Sequence, residues 1–244
     1  MMRNGTEREA VSEQIISVAR LRSGYGGGDI LRDISFDLSA GEILAILGKN
    51  GMGKSTLLKT IMGFVKPKSG SIKLRGVDVT NAEPHWIARR SIAYTPQEFA
   101  IFRELTVEEN LRLGVESDSL LKQRLGDVRD AFPRMTERMS QRAGTLSGGE
   151  QKMLLLCRAI VSRPDIMLID EISEGLQPTM IERMAEILRT ARSKGVAILL
   201  IEQNLNFALS IADRFAILKI GEIVESGRFE GRDTAGKLEK HLRI

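Results

Sequence analysis

The segment Gly48-Lys49-Asn50-Gly51-Met52-Gly53-Lys54-Ser55, followed by Thr56, constrains this chain more than any other stretch. It matches the pattern G-x-x-x-x-G-K-[ST], with an apolar run, Ile43–Leu47, leading in and a helix-like segment, 55–62, leading out. A buried strand that passes through a glycine-rich turn into a helix aims successive backbone N–H groups at one point. The helix N-terminus adds its positive partial charge there. That geometry suits phosphate. Lys54 is placed to reach β- and γ-phosphates, and the Ser55 hydroxyl to ligand Mg2+.

A second segment supplies what such a cradle lacks. In Ile166-Met167-Leu168-Ile169-Asp170-Glu171, four apolar residues end in two carboxylates. The pattern predicts a fully buried strand whose end sets Asp170 beside the loop, where it holds Mg2+ through water. Glu171 then faces the position of an attacking water, as a general base requires.

The rest of the chain is compatible with one large α/β domain. Its 244 residues are 42% hydrophobic and 28% charged, enough for a sizeable core under a solvated surface. The 36 Lys and Arg exceed the 32 Asp and Glu by four, and the basic residues are scattered, so no nucleic-acid stripe is suggested. A single cysteine, Cys157, lies in an apolar run and is expected to be a small buried hydrophobe. Residues 1–14 are polar and charged and read as a flexible leader. No apolar run approaches the ~20 residues of a membrane span.

Short apolar runs at 15–21, 30–38, Ile43–Leu47 and 71–74 make the opening third strand-rich. From 106 to 142 the spacing turns helical, with Pro133 interrupting. A helix after Gly149, a helix over 179–192, a strand at 196–201 and a short amphipathic helix over 233–242 complete the reading. Strand and helix in alternation predict a mostly parallel sheet covered on both faces, with a helical insert at about 98–160.

Leu146-Ser147-Gly148-Gly149-Glu150-Gln151 carries the family resemblance. This hexapeptide resembles the signature of the ABC ATPases, and with the loop and the Asp170 strand it identifies residues 15–244 as one ABC ATPase domain. The resemblance implies a P-loop NTPase fold with a parallel core, an N-terminal antiparallel β subdomain and an inserted helical subdomain. It implies ATP and Mg2+ as cofactors, with Ser55, Gln97 and Asp170 at the metal and Lys54, Glu171 and Gln203 in catalysis. Nucleotide would be bound by Gly48 to Thr56 and Gln97. Tyr25 resembles the aromatic that stacks on adenine. Ser147, Gly148, Gly149 and Gln151 would receive the γ-phosphate of ATP held by a second ATPase subunit, identical or homologous. Two transmembrane permease subunits and, indirectly, a solute-binding protein are the further partners implied, at the cytoplasmic face of the inner membrane. The chain itself would be peripheral there and soluble when isolated.

Three positions depart from the family pattern. Gln203 stands where most ABC ATPases carry a histidine, and a glutamine can donate to phosphate without becoming cationic. Ile172 replaces the usual proline after the catalytic glutamate, which implies a looser loop. Gln177 replaces the aspartate of the segment that crosses the dimer interface. Glu202-Gln203-Asn204 and Glu174-Gly175-Leu176-Gln177-Pro178 resemble the importer ATPases for branched-chain amino acids and for urea or short amides. Phe99, Ile101 and Phe102 form an apolar cluster read either as packing between lobes or as a contact for a membrane partner. Two other readings stay open: a soluble ABC ATPase acting on ribosomes or DNA, and a regulatory cassette that binds ATP without turning it over.

Overall fold

In the computed structural model, residues 13–97, 101–229, 236 and 238 are described. The chain opens with β1 (Gln14–Ser23), β2 (Leu31–Ser39), β3 (Ile43–Leu47) and α1 (Lys54–Ile61), then β4 (Pro67–Leu74), β5 (Val77–Asp78), α2 (Pro84–Ala88) and β6 (Ile92–Thr95). A helical stretch follows: α3 (Val107–Arg112), α4 (Asp118–Ala131), α5 (Pro133–Glu137), a 3-10 turn at Ala143–Thr145 and α6 (Gly148–Val161). The chain then returns to β7 (Ile166–Asp170), α7 (Pro178–Ser193), β8 (Ala197–Glu202), α8 (Leu205–Ile211), β9 (Arg214–Lys219) and β10 (Glu222–Arg228).

Two sheets result. One is four-stranded with the order β2-β1-β4-β5, and its pairs are antiparallel. The other is six-stranded with the order β10-β9-β3-β8-β7-β6, parallel throughout except for the β10 edge. Every residue of β3, β7 and β8 is buried, the expected state of parallel strands covered on both faces. Alternate side chains divide between two cores. Ile43, Met167, Ile169, Ile198 and Leu200 join the helical stretch, whereas Leu44, Ile46, Leu168, Leu199 and Ile201 pack toward α1 and the antiparallel sheet.

The helices start where their sequences allow. Thr106 and Ser147 each form a capping box, accepting from the backbone of Glu109 and Glu150 while those carboxylates accept from the cap backbone. Pro133 and Pro178 occupy first-turn positions, where a missing N–H forfeits nothing. Pro133 thus starts α5 as well as ending α4. Ile172, in the place of the family's proline, is 3% exposed and packs in the core beside β7. Cys157 is fully buried, and burial pushes its thiol up to about 12. The helix expected over 233–242 lies mostly outside the described residues, although Leu238 is buried against Ala45, Leu47 and Phe215. Among the described residues no helix is long and apolar enough to cross a membrane.

Candidate active site

The cradle forms at the carboxyl end of β3, where open parallel sheets expose their crevice. Gly51 and Gly53 adopt φ of 79° and 105°, conformations that side chains rarely take, and these turn the chain into α1. Gly48 is required for another reason: a Cβ there would meet the Leu218 carbonyl oxygen at 2.5 Å. The turn after β9 closes the far wall, since Gly221 donates to the Met52 carbonyl at 3.1 Å and Ile220 to the Met52 sulfur at 3.3 Å. Lys49 accepts from Lys54 Nζ through its carbonyl at 2.8 Å. Thr56 is buried behind the loop, in the first turn of α1.

Glu171 sits at the hub. Its Oε1 pairs with Lys54 Nζ at 2.9 Å, and both side chains are nearly sealed from solvent. Its Oε2 accepts from Gln97 Nε2 and from Gln203 Nε2, each at 2.9 Å. Gln203 Nε2 also reaches Asn50 Oδ1 at 2.7 Å, and Gln97 Nε2 reaches Glu174 Oε2 at 2.9 Å. Three loops from distant parts of the chain are therefore fastened to one carboxylate. Glu171 has φ 48°, a left-handed conformation for a non-glycine residue, and its N–H donates to the Ile201 carbonyl at 3.0 Å. Strain of that kind persists only where the surroundings over-determine it.

Asp170 ends β7 with 3% exposure. Burial raises its pKa, opposed by a hydrogen bond from Ser55. Its Oδ1 is buried without a hydrogen-bond partner. An orphaned carboxylate oxygen beside a serine hydroxyl, at the mouth of a phosphate cradle, fits a hard cation that takes oxygen ligands. Among the described residues no group of three or more His, Cys, Asp and Glu could hold a metal alone, so such an ion would depend on phosphate oxygens as well.

Tyr25 lies 54% exposed in the turn between β1 and β2, its ring open to solvent. Ser147, Gly148, Gly149 and Gln151 do not join the Glu171 cluster. The bonds of Ser147 stay with Glu150, and Gln151 Nε2 donates to the Leu146 carbonyl at 2.9 Å. Ser147 and Gly149 instead line a surface groove with Gly175, Leu176 and Gln177. Of the apolar cluster after Gln97, Phe102 is exposed, Ile101 packs partly against the core, and Phe99 lies outside the described residues.

Two residues of this neighbourhood have no role in the sequence reading. Glu202 is 2% exposed, and its carboxylate accepts from Ser173 N at 3.0 Å and Ser173 Oγ at 2.8 Å. Lys152 reaches the carbonyls of Glu171 and Glu174 from α6. The available signal was slight: a charged residue closing an apolar strand, and a lysine directly after Gln151.

Comparison with known proteins agrees with this geometry. Residues 31–174 match the family described as ABC transporter. A high-affinity branched-chain amino acid transport ATP-binding protein from Pseudomonas aeruginosa is 43% identical over 213 residues, covering 86% of this chain and 91% of that protein. A probable branched-chain amino acid transport ATP-binding protein from Archaeoglobus fulgidus is 37% identical, covering 94% of this chain and 96% of that protein. Among solved structures, the ATP-binding subunit of an ABC transporter superposes with a TM-score of 0.80 at 30% identity, over 94% of this chain and 95% of that one. The ADP conformation of another ABC cassette superposes with a TM-score of 0.83 at 25% identity, over 93% and 95%.

Proposed function

The chain belongs to the ABC transporter ATP-binding family and is the ATP-binding subunit of such a transporter; we propose that it hydrolyses ATP to power uptake of branched-chain amino acids, urea or short amides. The observation that carries the hydrolytic reading is the Glu171 carboxylate, held at once by Lys54, Gln97 and Gln203. The substrate class rests on the names of the two transport relatives and on the Glu202-Gln203-Asn204 string.

In this mechanism the N–H groups of the Gly48–Ser55 loop and the start of α1 bind the phosphates. Lys54 turns from Glu171 to the β- and γ-oxygens, which frees the carboxylate to accept the proton of an attacking water. Gln203 keeps Glu171 aligned with the cradle through Asn50, a task that needs hydrogen bonds and no cationic side chain. Ser55, Asp170 and Gln97 would hold Mg2+, which would supply neutralisation of the phosphate charge. Tyr25 stacks on the base. The groove at Ser147 and Gly149 takes the γ-phosphate bound by a second ATPase subunit, so that ATP favours a closed pair and hydrolysis releases it. Two transmembrane permease subunits, which the chain meets at the cytoplasmic face of the membrane, convert that motion into transport, with a solute-binding protein delivering the cargo.

Glu171→Gln tests the central claim. Turnover should fall by roughly 100-fold or more, while ATP still raises the melting temperature of the protein. Wild-type turnover in this variant would refute the assignment.

A further inference from the structure

Lys152 begins the second turn of α6, four residues beyond Gly148 and on the same helix face. Its side chain leaves the signature surface and runs back to the chain's own catalytic loop. Nζ donates to the Glu171 carbonyl at 3.4 Å and to the Glu174 carbonyl. The residue is half-buried, and burial lowers its pKa while the carboxylates of Glu174, Glu202 and Glu171 partly oppose that shift. The loop it grips is itself tied onward. Glu174 Oε2 accepts from Gln97, and Ser173 donates twice to Glu202, the neighbour of Gln203.

A helix start is a rigid body over so short a span: four residues advance only about 6 Å along the axis. Displacement of Ser147 and Gly149 therefore carries Lys152 with it, and Lys152 pulls on the carbonyl of Glu171, a residue already held at φ 48°. Lys152 Nζ caps the carbonyls of Glu171 and Glu174, the two acidic residues that bracket Ile172 and Ser173.

We propose that Lys152 is a positioning residue that transmits occupancy of the signature surface to the carboxylate of Glu171, and so couples the two ATP sites of the paired motor. The inference rests on the reading above that Ser147 and Gly149 receive the other subunit's ATP. Lys152 touches neither nucleotide nor water in this scheme; it acts through the backbone of residues 171–174.

The test is the ATP dependence of hydrolysis by the transporter purified with its membrane subunits, comparing wild type, Lys152→Met and Lys152→Arg. The wild type should show a Hill coefficient above 1. Lys152→Met should bring it to about 1 and lower turnover roughly fivefold, the low end of typical coupling between sites. The shift in melting temperature given by ATP should be unchanged, because the cradle is untouched. Lys152→Arg, which keeps the cation and its donors, should recover most of the cooperativity. If Lys152→Met fails to fold, Lys152→Gln serves the same comparison with the same two outcomes. Undiminished cooperativity in the uncharged variant would overturn the proposal, and so would a wild type that hydrolyses ATP with a Hill coefficient of 1. A wild-type complex that hydrolyses no ATP at all would instead refute the proposed activity, and this inference with it.

Discussion

Replacing Glu202 by alanine strips a sealed site of the acceptor for two donors, Ser173 N at 3.0 Å and Ser173 Oγ at 2.8 Å. Each buried group left without a partner costs about 1–3 kcal/mol, so the pair should lower stability by about 3 kcal/mol. For a chain of 244 residues that is a fall in melting temperature of roughly 6–12 °C. Glu202→Gln is the sharper probe, since an amide oxygen and an N–H can occupy the same places. Burial raises the folded pKa of Glu202. The unfolded carboxyl ionises first, near pH ~4.3, so wild-type stability is lost as pH climbs from there through the folded pKa. Glutamine suffers no such loss. The stability of Glu202→Gln relative to wild type should therefore improve from pH 4 to pH 8. Urea unfolding followed by far-ultraviolet circular dichroism at both pH values measures the difference. An alanine variant within about 0.5 kcal/mol of wild type would refute the reasoning, as would a glutamine variant that loses ground with rising pH.

Gly48→Ala should force the cradle away from the turn after β9, because its Cβ would meet the Leu218 carbonyl oxygen at 2.5 Å. The expected loss is about 1–3 kcal/mol of stability, together with a smaller ATP-induced rise in melting temperature. Gly27→Ala, whose Cβ meets nothing within 4 Å, is the control that should behave as wild type in both assays. Cys157, buried and with its thiol raised to about 12, should resist alkylation at pH 8 in the folded protein and react fully in denaturant. Fast labelling of the native chain would contradict that burial.

The parts of the fold legible in the sequence are those with a local signature. β3 and β7 begin and end where their apolar runs do, since full burial on both faces leaves polar residues only at the strand ends. The loop after β3 is likewise written in consecutive residues. β9 and β10 were not foreseen: in β10 exposed and half-buried residues alternate, including Glu222, Glu225 and Arg228, and β10 is itself the edge of its sheet. β6 is only four residues long and is stabilised by β7, 74 positions away at Ile92 and Ile166. Within the site, the residue types of Lys54, Asp170 and Glu171 announced their chemistry. Their fastening did not, because the bonds from Gln97, Gln203 and Lys152 to Glu171 join positions that no periodicity relates. The resemblance supplied Gln97 and Gln203 as site residues. Glu202 and Lys152 needed the folded backbone.

The strand order also governs when this protein can come into being on the ribosome. β3, which carries the phosphate cradle, is flanked by β8 and β9, so Ile43 waits for Ile198 and Ile46 for Ala216. Translation at ~5–20 residues per second separates those partners by roughly ten to thirty seconds. During that interval an all-apolar strand stands without either neighbour. The antiparallel sheet and the helical stretch have no such delay, because β1, β2 and β4 emerge close together. A nascent chain cut short before residue 197 would thus carry the glycine-rich loop in full and lack both walls that shape it. Nucleotide cannot help the chain fold until nearly all of it has been made.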